Sequence, residues 1–320
     1  MHVRALERSD QGVALGAGDG GRRVDIHRTS VALGFTGVGD RLRSLWDFDD
    51  LEATERRLQA QLAAETVEAG RAEVLTQVAR VCGLRGDFEA GDVLLDEART
   101  LGGDSRTVAA RVDLERGRIR RSSGGPAPAR PLFESAYELA LEARQYFVAA
   151  DAAHMLALAA TNRDSVLDWT QRGVELAELR EDASYWLGPL LNNLGWAYYA
   201  AGELEPALDA FERALRARER DPENAAAVEI ARYAVGKTLR GLSRSDEAIP
   251  LLERAVAWTD HEDAPDGWFH EELAEEYAAV GRADDARRQA RLAVPLLERD
   301  DPSFSEDTAR RTHLESLAGD

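Results

Sequence analysis

The chain has 320 residues, a formal net charge of −19 and 31% charged residues. So acidic a balance argues against a duplex nucleic-acid binder, which needs a basic footprint to neutralise phosphates. No run approaches the ~18–20 consecutive apolar residues of a membrane-spanning helix. The N-terminus lacks a compact apolar core with a small-residue cleavage site, so no secretory leader is expected. A lone cysteine, Cys82, excludes an intrachain disulfide and agrees with a cytoplasmic location. Ala, Leu, Glu and Arg dominate, all of them good helix formers, and an all-α fold is expected.

In chain order, residues 1–44 read as a flexible extension. Gly12, Gly16, Gly18, Gly20, Gly21, Gly34, Gly37 and Gly39 leave no room for a helical or strand period there. The glycines at 16–21 lack the Lys and Ser/Thr of a phosphate loop. Residues 45–69 read as a capping segment. A helix is expected from Leu51 to Glu65, with Asp49 or Asp50 as its N-cap and Glu52 suited to its positive end. Trp46 and Phe48 are expected to cover the end of whatever follows. The tail, 303–320, reads as a closing helix with thin apolar content.

Between these ends, residues 70–302 repeat. The segment from Leu190 to Leu215 reads as two helices. Leu191, Leu194 and Tyr198 share a face of the first, Gly195 leaves room for a neighbour, and Gly202 ends it. Ala207, Phe211 and Ala214 form the packed stripe of the second. The pattern recurs at Val78–Ala79 with Gly91, Leu95 and Ala98, at Gly117 with Ala129, Phe133 and Ala136, and at Val235–Gly236 with Ala248, Leu252 and Ala255. It recurs again at Leu273–Ala274 with Ala286, Ala290 and Ala293, and most weakly at Val166, Thr170 and Gly173. In the Gly117 copy, Arg116 and Arg120 stand where apolar residues are expected.

This pattern resembles the tetratricopeptide repeat (TPR), whose basic period is about 34 residues. The spacing here, about 37–41 residues between key small positions, and the string Leu191-Asn192-Asn193-Leu194 are similar to the long variety typified by kinesin light chains. Pro131 and Pro250 share one equivalent position, expected in the first turn of a second helix, where an amide donor is unpaired anyway. The resemblance implies a right-handed superhelical solenoid of about six helix-turn-helix repeats. The first helix of each repeat would line a concave wall.

On that wall the resemblance places Arg111, Arg118, Asn192, Asn193, Trp196, Tyr199, Tyr233, Lys237 and Arg240 as candidate peptide-binding residues. Thr76, Gln77, Arg80, Leu114, Asp151, Met155, Glu271 and Glu275 fall on the same wall. An asparagine amide can bond both the C=O and the N–H of one peptide unit, so Asn192 and Asn193 either clamp a bound backbone or bridge to the next repeat. Trp196, Tyr199 and Tyr233 would offer large contact area at small entropic cost. Lys237, Arg240, Arg111 and Arg118 would receive acidic groups or a C-terminal carboxylate. His154 and Cys82 read as packed residues, and His270-Glu271-Glu272 lacks the spacing of a zinc motif. No catalytic, metal or cofactor site is expected. The expectation is a non-enzymatic scaffold for a protein or peptide segment, with a regulatory sensor of a signalling peptide or small ligand as the alternative.

Overall fold

The computed structural model describes residues 39–48, 50–220 and 225–319. The glycine-rich stretch 1–38 and the Asp49 cap alternative lie outside the described residues. Regular structure within them is helical. After a 3-10 turn at Arg43–Leu45 come α1 (Leu51–Ala64), α2 (Glu68–Arg85), α3 (Phe88–Gly102), α4 (Arg106–Gly124), α5 (Pro126–Glu142), α6 (Tyr146–Leu158) and α7 (Arg163–Leu179). A second 3-10 turn, Glu181–Trp186, leads to α8 (Leu187–Ala200), α9 (Leu204–Arg218), α10 (Ala225–Gly241), α11 (Ser245–His261), α12 (Gly267–Ala279), α13 (Ala283–Asp300) and α14 (Thr308–Ala318).

The chain divides into two compact units, with the boundary after Leu194, inside α8. The first holds α1 and the hairpins α2–α3, α4–α5 and α6–α7. The second holds α9, the hairpins α10–α11 and α12–α13, and α14.

The second helices, α3, α5, α7, α9, α11 and α13, explain why the hairpins form. Their key small residues, Gly91, Ala129, Val166, Ala207, Ala248 and Ala286, are all buried. So are the residues four and seven positions later, such as Phe133 and Ala136 or Phe211 and Ala214. That spacing puts one stripe against the first helix. Gly117 faces the Phe133 ring, Gly195 the Phe211 ring and Gly236 Leu252; a Cβ at Gly195 would lie 2.5 Å from Phe211. In the weakest copy His154 stands in the glycine's place, twelve residues before Val166, and Thr170 stands where Phe133 and Phe211 stand in other copies. Both are buried.

Caps mark the helix ends. Asp50 accepts from the Ala53 amide at 2.8 Å, starting α1, and Gly202 takes a left-handed φ of 75° beyond α8. The turn before α7 has no glycine but starts it with Asn162, which accepts from Ser165 N at 2.9 Å. Pro131 and Pro250 fall in the second turn of their helices, not the first, because α5 begins at Pro126 and α11 at Ser245. Arg116 and Arg120 reach back to α3 instead of packing as apolar residues would. Arg116 meets Asp96 at 2.5 Å and Asp92 at 3.3 Å, and Arg120 meets Asp92 at 2.6 Å.

Each unit has its own end cover. In the first, Trp46 stacks on Phe48 at 4.9 Å and joins Leu42, Leu58, Val74 and Val78 in one buried cluster. In the second, α14 buries Leu314 and Ala318 behind Phe304. Its apolar content is thin, and a charge network fixes it: Arg310 takes both oxygens of Glu271 at 2.6 Å and Asp301 at 2.7 Å.

Candidate functional site

In the first unit, the face of α2, α4 and α6 turned from their partner helices is covered by the chain's own residues 39–48. Asp40 pairs with Arg111, whose Nε also lies 3.2 Å from Glu73. Arg41 donates to Glu65 at 2.7 Å and to the Gly70 carbonyl at 3.2 Å. Arg43 donates to the Tyr185 hydroxyl at 3.1 Å. The Trp46 indole N–H donates to Gln77 Oε1 at 3.0 Å, and the Arg80 guanidinium lies 5.0 Å from the Trp46 ring. A methyl at Gly39 would touch the Phe147 ring at 3.7 Å. This wall therefore holds an extended segment through a carboxylate on an arginine, an indole on a glutamine and an aromatic ring beside a guanidinium.

Farther along the same wall, Arg118 is clasped by Glu115 at 2.7 Å and by Asp151 of α6. Asn193 is buried, and its amide nitrogen meets His154 Nδ1 at 3.1 Å. Asn193 thereby contacts α6 of the preceding hairpin. His154 also packs on Trp186, with ring centroids 5.3 Å apart. Asn192, one residue earlier, stays half-exposed.

In the second unit, Trp196 packs edge-on against Phe211 at 4.9 Å and Tyr199 at 5.5 Å, and both Trp196 and Tyr199 keep part of their surface open. Tyr233 is buried and stacks on Phe269 at 4.6 Å; burial pushes its hydroxyl well above the ordinary range. Lys237 and Arg240 both bond Glu272 of α12. Burial pushes Glu272 upward, but the two cations more than offset this and hold its carboxyl below the usual range. In turn, Glu272 raises Arg240 against its own desolvation. Arg240 keeps a third of its side chain exposed.

Sequence reasoning thus located the basic residues but missed their partners. Glu73–Arg111, Arg118–Asp151, Lys237–Glu272 and Glu271–Arg310 each join consecutive first helices, or the last of them to α14. The signal was present, because Asp151 and Glu271 map to the same wall as the bases. The Arg106–Arg130 stretch is also largely met from within: besides Arg111, Arg116, Arg118 and Arg120, Arg106 pairs with Glu142 and Arg130 with Glu134. Cys82 is half-buried, and burial pushes its thiol upward, away from the reactive thiolate. Among the described residues no group of three or more His, Cys, Asp or Glu is placed to hold a metal ion, and no helix is long and apolar enough to cross a membrane.

A family model for the tetratricopeptide repeat matches residues 188–221, the span of α8 and α9. None of the curated proteins matches the sequence. Among solved structures, one similar to this chain is a signal transduction ATPase with numerous domains, with a tetratricopeptide repeat sensor, from Pyrococcus horikoshii. Its TM-score is 0.65 at 15% identity, covering 84% of this chain and 42% of that one. The apo form of RapI gives 0.60 at 11% identity, covering 79% and 72%. The apo form of the quorum sensor NprR from B. thuringiensis gives 0.52 at 12%, covering 84% and 83%. The chain spans under half the length of the first of these. At such identities the likeness is one of fold.

Proposed function

We propose, for a chain that carries tetratricopeptide-type repeats, a non-enzymatic role: its inner walls hold an extended segment of a protein or peptide partner. The observation that carries this reading is the seating of residues 39–48 on α2, α4 and α6. A wall that takes its own segment through Arg111, Gln77 and Arg80 has the chemistry to take another. In the second unit the partly open side chains Trp196, Tyr199 and Arg240 are the contact residues we assign, and Asn192 has that role in the first. Arg118, Asn193, Tyr233 and Lys237 are assigned to shaping the walls, since each is almost wholly buried on a partner within the chain. Acidic groups on the partner suit Arg240. The repeat spacing suits the long variety that resembles kinesin light chains.

A sensing role is the second reading, because two of the similar folds are sensors: the Pyrococcus protein carries a tetratricopeptide repeat sensor, and NprR is a quorum sensor. The test is affinity capture from source-cell lysate with the wild-type chain and a Tyr199→Ala/Arg240→Ala variant. Partners retained by the wild type and lost by the variant, with helix content unchanged, are expected. An identical set on both baits sinks the assignment of the second wall.

A further inference from the structure

The segment seated on the first wall spends its backbone on itself. Leu42 N donates to Asp40 Oδ1 at 2.7 Å, and Arg43 N donates to the Asp40 carbonyl at 3.0 Å. Leu45 N donates to the Leu42 carbonyl and Trp46 N to the Arg43 carbonyl, both at 3.1 Å. Bonds from i+3 back to i make a 3-10 turn, in which side chains three apart come into line. Asp40, Arg43 and Trp46 are such a line, and each meets the wall.

Asp40 pairs with Arg111 of α4. Arg43 donates to the Tyr185 hydroxyl at 3.1 Å, with its guanidinium 5.0 Å from the centre of that ring. The Trp46 indole donates to Gln77 of α2 at 3.0 Å and lies 5.0 Å from the Arg80 guanidinium. Leu42, 2% exposed, fills an apolar seat with Leu58, Val74 and Val78. Arg41 lies off this line. It meets Glu65 with 41% of its side chain exposed, where an ion pair adds little.

Four amides that an extended peptide would offer to a wall are thus used inside the segment, and the wall reads side chains instead. Side chains carry sequence, so a seat of this kind selects. The two ends of the segment are held differently. Arg57 of α1 donates to the Leu45 carbonyl at 3.0 Å, and Asp47 N donates to Thr54 Oγ1 at 2.7 Å. Asp40 and Arg43 lie upstream of these ties, so exchange with a partner opens from the Asp40 end.

We propose that the first wall is a sequence-selective seat for one class of partner segment. That segment forms a 3-10 turn with a carboxylate, a guanidinium and an indole at successive three-residue steps, and an aliphatic residue two places after the carboxylate. The proposal rests on the reading of the walls as peptide-binding surfaces and adds what the first of them selects. Arg111, Tyr185 and Gln77 fix the order and the step. A step of four turns the guanidinium away from Tyr185.

The test uses the full chain carrying Asp40→Ala and Trp46→Ala, which loosens its own segment. It is titrated with fluorescent ten-residue peptides of the sequence Gly39 to Phe48. The native sequence is expected to bind saturably. Asp40→Asn, Arg43→Gln and Trp46→Phe peptides should each bind about tenfold more weakly or worse, since each loses a charge or a hydrogen bond at its seat. A peptide of the same composition with Arg43 and Ser44 exchanged should lose as much, and an Arg41→Gln peptide least. Placing Arg111→Gln in the chain should erase the difference between the native and Asp40→Asn peptides. A chain with only Asp40→Asn keeps Trp46 in the end cover and should repeat the ranking. Matching melting transitions among the chains separate loss of the seat from loss of fold. Equal affinities across the peptides overturn the selectivity and leave the wall a peptide-binding surface. So does a difference that survives Arg111→Gln. Binding by none of the peptides overturns the reading of this wall and the proposal with it.

Discussion

Gly195 and Phe211 show how one residue fixes the distance between two helices. A Cβ on Gly195 would sit 2.5 Å from the ring, too close for any contact, and Phe211 is wholly buried. Gly195→Ala should therefore cost about 1–3 kcal/mol through forced repacking. Adding Phe211→Leu should return part of that loss, since Ala79 and Leu95 fill the two equivalent places in the first hairpin. Urea unfolding of the single and double variants checks this, and additive losses would contradict it. The small-large-small stripe was legible because its members lie within seven residues of one another. The inner-wall pairs were legible only in part: helical spacing places Asp151 on the wall that carries Arg118, but Glu272, which meets Lys237, and Asp40, which meets Arg111 from outside the repeats, carry no such signal.

At the level of the helices, ends were read with mixed success. Asp50 caps α1 as one of two candidates, whereas Pro131 and Pro250 were misplaced by a turn because the start of a helix depends on the connection before it. The tail reads as a closing helix with thin apolar content, and Arg310 adds what that content lacks by binding Glu271 and Asp301. The start of α12 carries a pH dependence. Asp266 accepts from the Trp268 and Phe269 amides at 2.9 and 3.1 Å. Burial pushes its carboxyl up to about 7, and the two amides offset only part of that. An unfolded aspartate titrates near ~3.9, so between that value and about 7 the folded chain holds a proton that the unfolded chain has lost. The resulting stability is full below that window and is lost as pH rises through it. Asp266→Asn keeps the capping carbonyl without the titration. Urea midpoints at pH 5 and pH 8 should fall less in the variant than in the wild type; equal falls would show that Asp266 does not titrate there.

For the molecule as a whole, repetition made the hairpins readable and hid the exception. Segment 39–48 breaks the period, so nothing in a repeat pattern says that it lies along the first wall. Its mixture of acid, base and aromatic residues acquires meaning only beside Arg111, Gln77, Arg80 and Tyr185. If that wall recognises extended segments, its own segment is a resident ligand held at high effective concentration, on the order of millimolar. The direct measurement titrates a synthetic peptide of the sequence Gly39 to Phe48 into the wild-type chain and into an Asp40→Ala/Trp46→Ala variant of unchanged helix content. Binding to the variant, with little or none to the wild type, is the predicted result. A variant that ignores the peptide, or a wild type that binds it equally well, would contradict recognition at this wall.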